Sequence, residues 1–498
     1  MAIVIDGSSL TLEDVVQVAR KYEQVELNHE SRTKMLRSRE LIEDILAEKK
    51  VVYGVNTGFG KLSNVSVSED EIDLLQYNLV VSCVVGVGEP LSEEVVRAML
   101  LLRANSLASG YSGVRPLVVE TMLQMLNKKV HPLVPGKGSV GASGDLAPLS
   151  HMALVLLGRG EAFYEGERLS GAEAMQKAGI EPVFLKAKEG LSLCNGTQAM
   201  TAIGALAVYD AEKLSYYADL IGALSAEALE AVLMAYDNKI HAIRPHPGQV
   251  ETAENMRNLL SDSRIINEAN HGRVQDAYSL RCIPQVHGAS KDAIEYVKQV
   301  IIREMNSVTD NPLVFPDTGE VLSGGNFHGQ PVALALDFLA IALAELANIS
   351  ELRTERMTNP ALSMGLPAFL VEKGGLNDGY MMAQYTAAAL VSENKVLAHP
   401  ASVDSIPTSA DQEDHVSMGT IAARKCREVL GNVQYVLAIE AICACQGIDF
   451  RDKEPSPKLK DLYQVIRSKV DFLREDKELS ADFEAVVKMI KNEEFIQV

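Results

Sequence analysis

Apolar residues recur at helical spacing along most of the chain, and the longest such stretches predict helices rather than strands. A short apolar run, Ile3 to Ile5, predicts a strand; helical periodicity then extends from Thr11 to about Lys49, with Thr11 as N-cap. The pattern is helical and largely apolar again from Glu69 to Ala108, and from behind Pro148 to about Leu157. Glycines punctuate residues 158–168, Gly-Arg-Gly-Glu-Ala-Phe-Tyr-Glu-Gly-Glu-Arg, which reads as a hairpin. From Thr197 to Ala235 the chain is mostly Ala, Leu and Ile without proline, the texture of a helix inside a bundle. Helices from about Lys291 to Asn306, Val332 to Asn348 and about Asp378 to Leu397 continue that bundle, and residues 401–419 form a polar loop entering another helix. The charged tail from Arg451, punctuated by Pro455 and Pro457, predicts amphipathic surface helices to Val498. No repeat or linker marks a boundary. The change of texture near residue 200 separates a loop-rich N-terminal part (1–200) from a central long-helix bundle (201–450) and C-terminal surface helices (451–498).

Composition narrows the function classes. Apolar residues make up 47% of the 498, enough for a large core, and the net charge of −20 comes without any basic block. Nucleic acid and anionic membrane surfaces are therefore not expected partners. The N-terminus lacks a basic region and cleavage site, and the most apolar helix, Pro331 to Ser350, carries Asp337 and Glu345, so neither export nor a membrane span is expected. The cysteines, Cys83, Cys194, Cys282, Cys426, Cys443 and Cys445, are scattered without zinc-type pairs, as reduced thiols of a cytoplasmic protein are. His241 and His246 flank prolines with no further ligands at metal spacing, so no metal site is expected.

The candidate chemistry centres on residues 135–151, Pro-Gly-Lys-Gly-Ser-Val-Gly-Ala-Ser-Gly-Asp-Leu-Ala-Pro-Leu-Ser-His, a tight glycine-rich loop feeding a helix. It is not a nucleophile elbow, because Asp145 stands where that motif needs glycine. Nor does Gly60-Lys61-Leu62 make a P-loop. If Ala142-Ser143-Gly144 bends sharply, the Gly144 nitrogen can attack the Ala142 carbonyl, and loss of two waters leaves a five-membered ring with a methylidene from Ser143. Such a ring is an electrophile, which no side chain supplies. Elsewhere, Tyr278 and Arg281 stand at helical spacing, and a guanidinium fork is a natural holder of a carboxylate.

The run Gly141 to His151 resembles the signature of the aromatic amino acid ammonia-lyases and aminomutases, whose cofactor is this 4-methylideneimidazol-5-one (MIO). The resemblance runs from about residue 10 to about 450 and implies a mainly α ammonia-lyase fold, assembled as a homotetramer whose active sites take residues from three chains. It implies that Ala142, Ser143 and Gly144 form the MIO, that Tyr53 takes the β-proton, and that Asn195, Gln275 and Tyr278 line the substrate amine and the cofactor. Arg281 would clamp the α-carboxylate, with Asn311 near that carboxylate and Phe327 near the ring. Phenylalanine- and tyrosine-acting members typically carry glutamine at the position of Glu413; glutamate suits an imidazole. Cys83 departs from the pattern, since many histidine-acting members have histidine there. The implied activity is elimination of ammonia from L-histidine to trans-urocanate, a step of histidine breakdown. The alternative is an MIO-dependent lyase or 2,3-aminomutase acting on another aromatic or heteroaromatic amino acid.

Overall fold

Pairing between distant segments, rather than local propensity, decides where the N-terminal helices stop. The computed structural model describes residues 2–269 and 272–495, which form two compact units. The first comprises Met1–Leu206, Lys298–Asp337 and Pro400–Arg424, the second Ala207–Val297, Phe338–His399 and Lys425–Val498.

In the first unit, the helix expected from Thr11 to Lys49 is two helices, Leu12–Lys21 and His29–Ala47. Thr11 caps the first with a capping box: its hydroxyl accepts from the Asp14 N–H at 3.1 Å and the Asp14 carboxylate takes the Thr11 N–H at 2.9 Å. Tyr22 then turns left-handed (φ 58°), and Val25–Leu27 pairs in parallel with Ile3–Ile5, Ile3 opposite Val25 and Ile5 opposite Leu27. The stretch from Glu69 to Ala108 is likewise divided. Ile72–Ser82 and Glu93–Ala108 are helical, while Val87–Pro90 pairs antiparallel with Pro135–Lys137 at the start of the glycine-rich loop.

Glu93–Ala108 is buried on nearly every face, including Arg97 and Arg103. Both guanidiniums donate to neutral acceptors: Arg97 bonds the Val18 carbonyl through Nε at 2.9 Å, and Arg103 bonds Gln198 Oε1 at 2.9 Å and the Ser192 carbonyl. The hairpin expected at 158–168 is present as Glu161–Tyr164 with Glu167–Ser170, joined by His131–Pro132. A second hairpin pairs Leu313–Phe315 with Glu320–Leu322.

The second unit is helical among the described residues. It holds Pro247–Leu260, Met381–Leu397, Pro457–Arg467 and Ser480–Lys491, together with parts of the long helices Gln198–Ala228, Ile283–Met305, Gln330–Thr358 and Gly419–Asp449. The helix expected to Ala235 ends at Ala228, where Glu230 adopts φ 50°. The helix expected to Asn348 runs on to Thr358. Gln330–Thr358 and Gly419–Asp449 are long and apolar enough to cross a bilayer by length and composition, but 67% and 78% of their apolar windows are buried by protein, the property of core helices. The tail helices lie where amphipathicity places them; residues 496–498 fall outside the described residues.

Candidate functional site

The glycine-rich loop is pinned in place by contacts that tolerate no side chain. Gly144 has φ +72°, and a Cβ there would stand 2.1 Å from the Gly196 carbonyl oxygen. That same oxygen accepts the Asp145 N–H at 2.7 Å. Gly141, at φ +73°, has the Ser417 hydroxyl 2.2 Å from where its Cβ would be. The tripeptide Ala142-Ser143-Gly144 is thus pressed onto the turn Asn195-Gly196, with glycine required on both sides of the contact.

Asp145 fastens the loop to two helix starts. One oxygen accepts the Met200 N–H at 2.9 Å, in the first turn of Gln198–Ala228, and the other takes the Thr420 hydroxyl at the start of Gly419–Asp449. Burial lifts its carboxyl to about 6, against the lowering pull of the bonds from Thr420, the Met200 and Ala199 amides, and Ser139. Sequence reasoning passed over this residue. Its signal was its place directly before the helix Leu146–Leu156, where a carboxylate is ordinarily read as an exposed cap.

Ser143 opens into a cavity of about 590 Å³, lined entirely from the first unit, whose walls include Tyr53, Asn195, Asn311, Phe327 and Glu413. The Ser143 hydroxyl donates to Glu413 Oε1 at 2.8 Å, and the Thr408 hydroxyl holds the other carboxylate oxygen at 2.7 Å. Asn195 donates through Nδ2 to the Asn311 carbonyl at 3.0 Å, which fixes its amide orientation; its Oδ1 is buried without a partner. A free acceptor beside Ser143 suits the N–H of an ammonium group. The backbone beneath it is set by a buried ion pair, Lys188 Nζ to Asp310 at 2.8 Å, with the Ser192 hydroxyl on the same carboxylate oxygen at 3.0 Å.

Tyr53 lies on the wall with its phenol pushed above its ordinary value. Burial is the main cause, a bond from the Gly60 backbone opposes it, and the charges of Glu413 and Asp310 add to it. Asn311 reaches the cavity wall, but its side chain is engaged in a turn: Oδ1 accepts the Gly324 N–H at 2.6 Å and Nδ2 donates to Ser323 at 3.1 Å. Cys83, the C-cap of Ile72–Ser82, is not among the lining residues; Leu79, one turn earlier, is. Burial is the largest influence on the Cys83 thiol and pushes it up. The turn that follows is held by His151, whose Nε2 accepts the Gly86 N–H at 3.1 Å while burial draws the ring's pKa down.

Among the described residues lining the cavity, Glu413 is the one carboxylate and there is no lysine or arginine. The remaining candidates, Gln275, Tyr278 and Arg281, belong to the second unit. Gln275 and Tyr278 are exposed. Tyr278 and Arg281 begin and end a single helical turn, the Arg281 guanidinium lies over the Tyr278 ring at 4.5 Å, and Arg281 Nε is buried without a partner. The expected shared face is thus present, and the unpartnered N–H is one half of a carboxylate fork.

The geometry can be set beside known proteins. Residues 10–468 match the family model described as aromatic amino acid lyase. The chain is 56% identical to the histidine ammonia-lyase of Alkaliphilus oremlandii (strain OhILAs), across 99% of this chain and 98% of that protein. Among solved structures it is similar to histidine ammonia-lyase from Trypanosoma cruzi, with 44% identity, a TM-score of 0.93 and coverage of 100% of this chain and 94% of that one. It is also similar to tyrosine aminomutase from Streptomyces globisporus, with 39% identity, a TM-score of 0.95 and coverage of 100% and 98%. Identity above half, sustained over nearly the full length of both chains, goes with a fold shared along the whole molecule, and on these grounds the chain belongs to the aromatic amino acid lyase family.

Proposed function

We propose that this lyase eliminates ammonia from L-histidine to give trans-urocanate, with an MIO formed from Ala142, Ser143 and Gly144. The observation that carries the substrate is Glu413: a carboxylate bonded to Ser143 at 2.8 Å, in a cavity with no other charge among its described lining residues. A half-buried carboxylate covered by an apolar ring would lose its remaining solvation with nothing in return, whereas an imidazole N–H restores a charge-assisted bond.

The residues present fit the cofactor. Gly144 is held where only glycine fits, which leaves its nitrogen free of steric bulk, and Ser143 faces the cavity into which a methylidene would project. When formed, MIO supplies an electron-withdrawing centre for the departing amine. The chain's own residues do the rest. Asn195 Oδ1 accepts an amine N–H, Glu413 orients the imidazole, and Tyr53 receives the β-proton on its phenolate oxygen. Burial and two carboxylates oppose ionisation of Tyr53. Entry of a substrate ammonium, with the Arg281 guanidinium on the substrate carboxylate, brings the positive charge that reverses this pressure.

Arg281, Gln275 and Tyr278 are assigned to a site shared between chains of a homotetramer. Two features support this reading: the cavity lining lacks a cation for the carboxylate, and Ile341, Leu352, Met382, Tyr385 and Val396 stand exposed on helices of the second unit. Free cysteines throughout the chain suit a reducing cytoplasm. A second reading, a lyase or 2,3-aminomutase for another aromatic amino acid, is favoured by Cys83, which replaces the histidine of many histidine-acting relatives, though it does not line the cavity, and is opposed by Glu413. The test is to supply purified protein with histidine, phenylalanine and tyrosine and to identify the products. Urocanate as the dominant product supports the reading; a cinnamate or β-amino acid in its place overturns it.

A further inference from the structure

A helix of one turn cannot hold its own geometry, because nucleation costs more than its few hydrogen bonds return. Tyr278–Arg281 is such a turn; it leads through Cys282 into the helix Ile283–Met305, and what it rests on adds to the support it has from that one end. Two buried side chains of the second unit meet its two middle carbonyls. The Tyr236 hydroxyl donates to the Leu280 carbonyl at 3.0 Å, and Arg353 Nη1 donates to the Ser279 carbonyl at 3.4 Å. Tyr236 is 1% exposed and Arg353 is 0% exposed.

Arg353 is itself fixed in direction. Its Nε and Nη2 grip Glu440 as a fork, at 2.5 and 2.9 Å, and the Ser225 hydroxyl holds the same carboxylate at 2.6 Å. This leaves Nη1 for Ser279 and for His287 Nε2 at 3.4 Å. His287 is oriented in turn by Asp219 at 2.8 Å, and Asp219 by Lys291 at 2.7 Å. A lysine could keep the charge opposite Glu440 but could not serve three acceptors in one plane. Ahead of the turn, Asp276 ties the approaching strand of chain down, accepting the Val232 N–H at 2.6 Å and Arg273 Nε at 2.7 Å.

We infer that Tyr236 and Arg353 are positioning residues for the carboxylate clamp: by holding the Leu280 and Ser279 carbonyls they set the direction of the Arg281 guanidinium. The inference rests on the functional reading that Arg281 binds the substrate carboxylate. Neither residue is needed to touch substrate. The orphaned Arg281 Nε is then an N–H whose direction is preset before ligand arrives, which lowers the ordering cost of binding.

The test uses full-length wild type, Tyr236→Phe and Arg353→Lys, with binding measured by competition calorimetry rather than turnover. Two ligands are compared: urocanate, which has the carboxylate, and histamine, which has the imidazole and amine without it. Tyr236→Phe removes one oxygen and should weaken urocanate about tenfold, the scale of one lost hydrogen bond, while histamine stays within about twofold. KM for histidine should rise by the same factor as the urocanate Kd, with kcat falling less. Arg353→Lys should show the same selectivity and a larger effect. If both variants bind both ligands like wild type, or lose both ligands equally, the positioning role is overturned. A Tyr236→Phe result alone decides the matter if Arg353→Lys fails to fold. A wild type that binds urocanate through Arg281 yet makes none from histidine would sink the functional reading while leaving the positioning role supported.

Discussion

Glu413→Gln separates charge from shape at the substrate ring. In the folded chain the carboxylate receives two hydroxyls, Ser143 at 2.8 Å and Thr408 at 2.7 Å. A glutamine keeps one oxygen for one of these and turns its NH2 toward the other, whose hydroxyl can rotate to accept. The fold should therefore tolerate the change, with a loss of stability below about 1 kcal/mol. In the proposed MIO the Ser143 oxygen would have left as water, which would free Glu413 Oε1 to meet the imidazole. A bond to a carboxylate contributes about 1.5–3 kcal/mol and a neutral one about 0.5–1.5, so the exchange should cost ~1–2 kcal/mol. That is on the order of a 5- to 30-fold fall in kcat/KM for histidine. Phenylalanine should gain, because its ring no longer strands a charge. The assay is kcat/KM for histidine, phenylalanine and tyrosine in both proteins, with thermal unfolding to confirm that the fold is intact. Unchanged histidine activity in a folded Glu413→Gln protein would refute the assignment of Glu413 to the imidazole.

Other substitutions test the remaining parts. Intact mass should fall two waters short of the encoded sequence, and Ser143→Ala should restore it and abolish activity; an active wild type of full encoded mass would end the MIO reading. Gly144→Ala places a Cβ 2.1 Å from the Gly196 carbonyl, so the loop must shift and the chain should retain its full encoded mass; a dehydrated, active variant would contradict that close contact. Tyr53→Phe should lower kcat by about 10²-fold or more, the scale of a lost acid–base group, and near-normal turnover would move the role to another residue such as Tyr278. Cys83→His should lower KM for histidine only if the site rearranges to admit it, because position 83 does not line the cavity; an unchanged KM is expected and a large fall would show that the side chain reaches substrate. Asp145 holds its proton up to about pH 6 in the fold against an ordinary 3.8, so folding binds a proton there: its contribution is full below pH 3.8 and is lost as pH rises through 6. Asp145→Asn should remove that dependence, so the difference in unfolding temperature should move in the variant's favour between about pH 4 and 6 and stay constant above; parallel curves would show that Asp145 does not titrate there.

What could be read from the chain in advance was chemistry carried by neighbours. Ala142-Ser143-Gly144 are adjacent, Tyr278 and Arg281 share one turn, and the hairpin at 158–168 closes on itself; each needs only local geometry. The short strands at Val25–Leu27 and Val87–Pro90 were hidden inside helical periodicity, because their partners, Ile3–Ile5 and Pro135–Lys137, lie elsewhere in the chain and three or four residues carry too little pattern to outweigh the helices around them. Arg97 and Arg103 were hidden for a different reason: an arginine in a helix is ordinarily read as marking its solvent face, and here the acceptors that permit burial belong to other segments.

The same division runs through the site. Ser143 reaches Glu413 across 270 residues and Asp145 reaches Thr420 across 275, while Arg353 meets Ser279 across 74. Groups that react can be named from their own side chains, because reactivity is a property of the functional group. Groups that aim them cannot, because a carboxylate that clamps a loop and one that faces water have the same letter. Asp145, Thr408, Tyr236 and Arg353 belong to this second kind. Each holds a backbone or side-chain atom of a candidate site residue or of the segment that carries it, so their loss should alter direction and spacing where Ser143, Tyr53 or Arg281 substitutions remove the group itself. Substitutions chosen from motifs alone would sample only the second effect, and the energetic cost of misaiming an intact group would stay unmeasured.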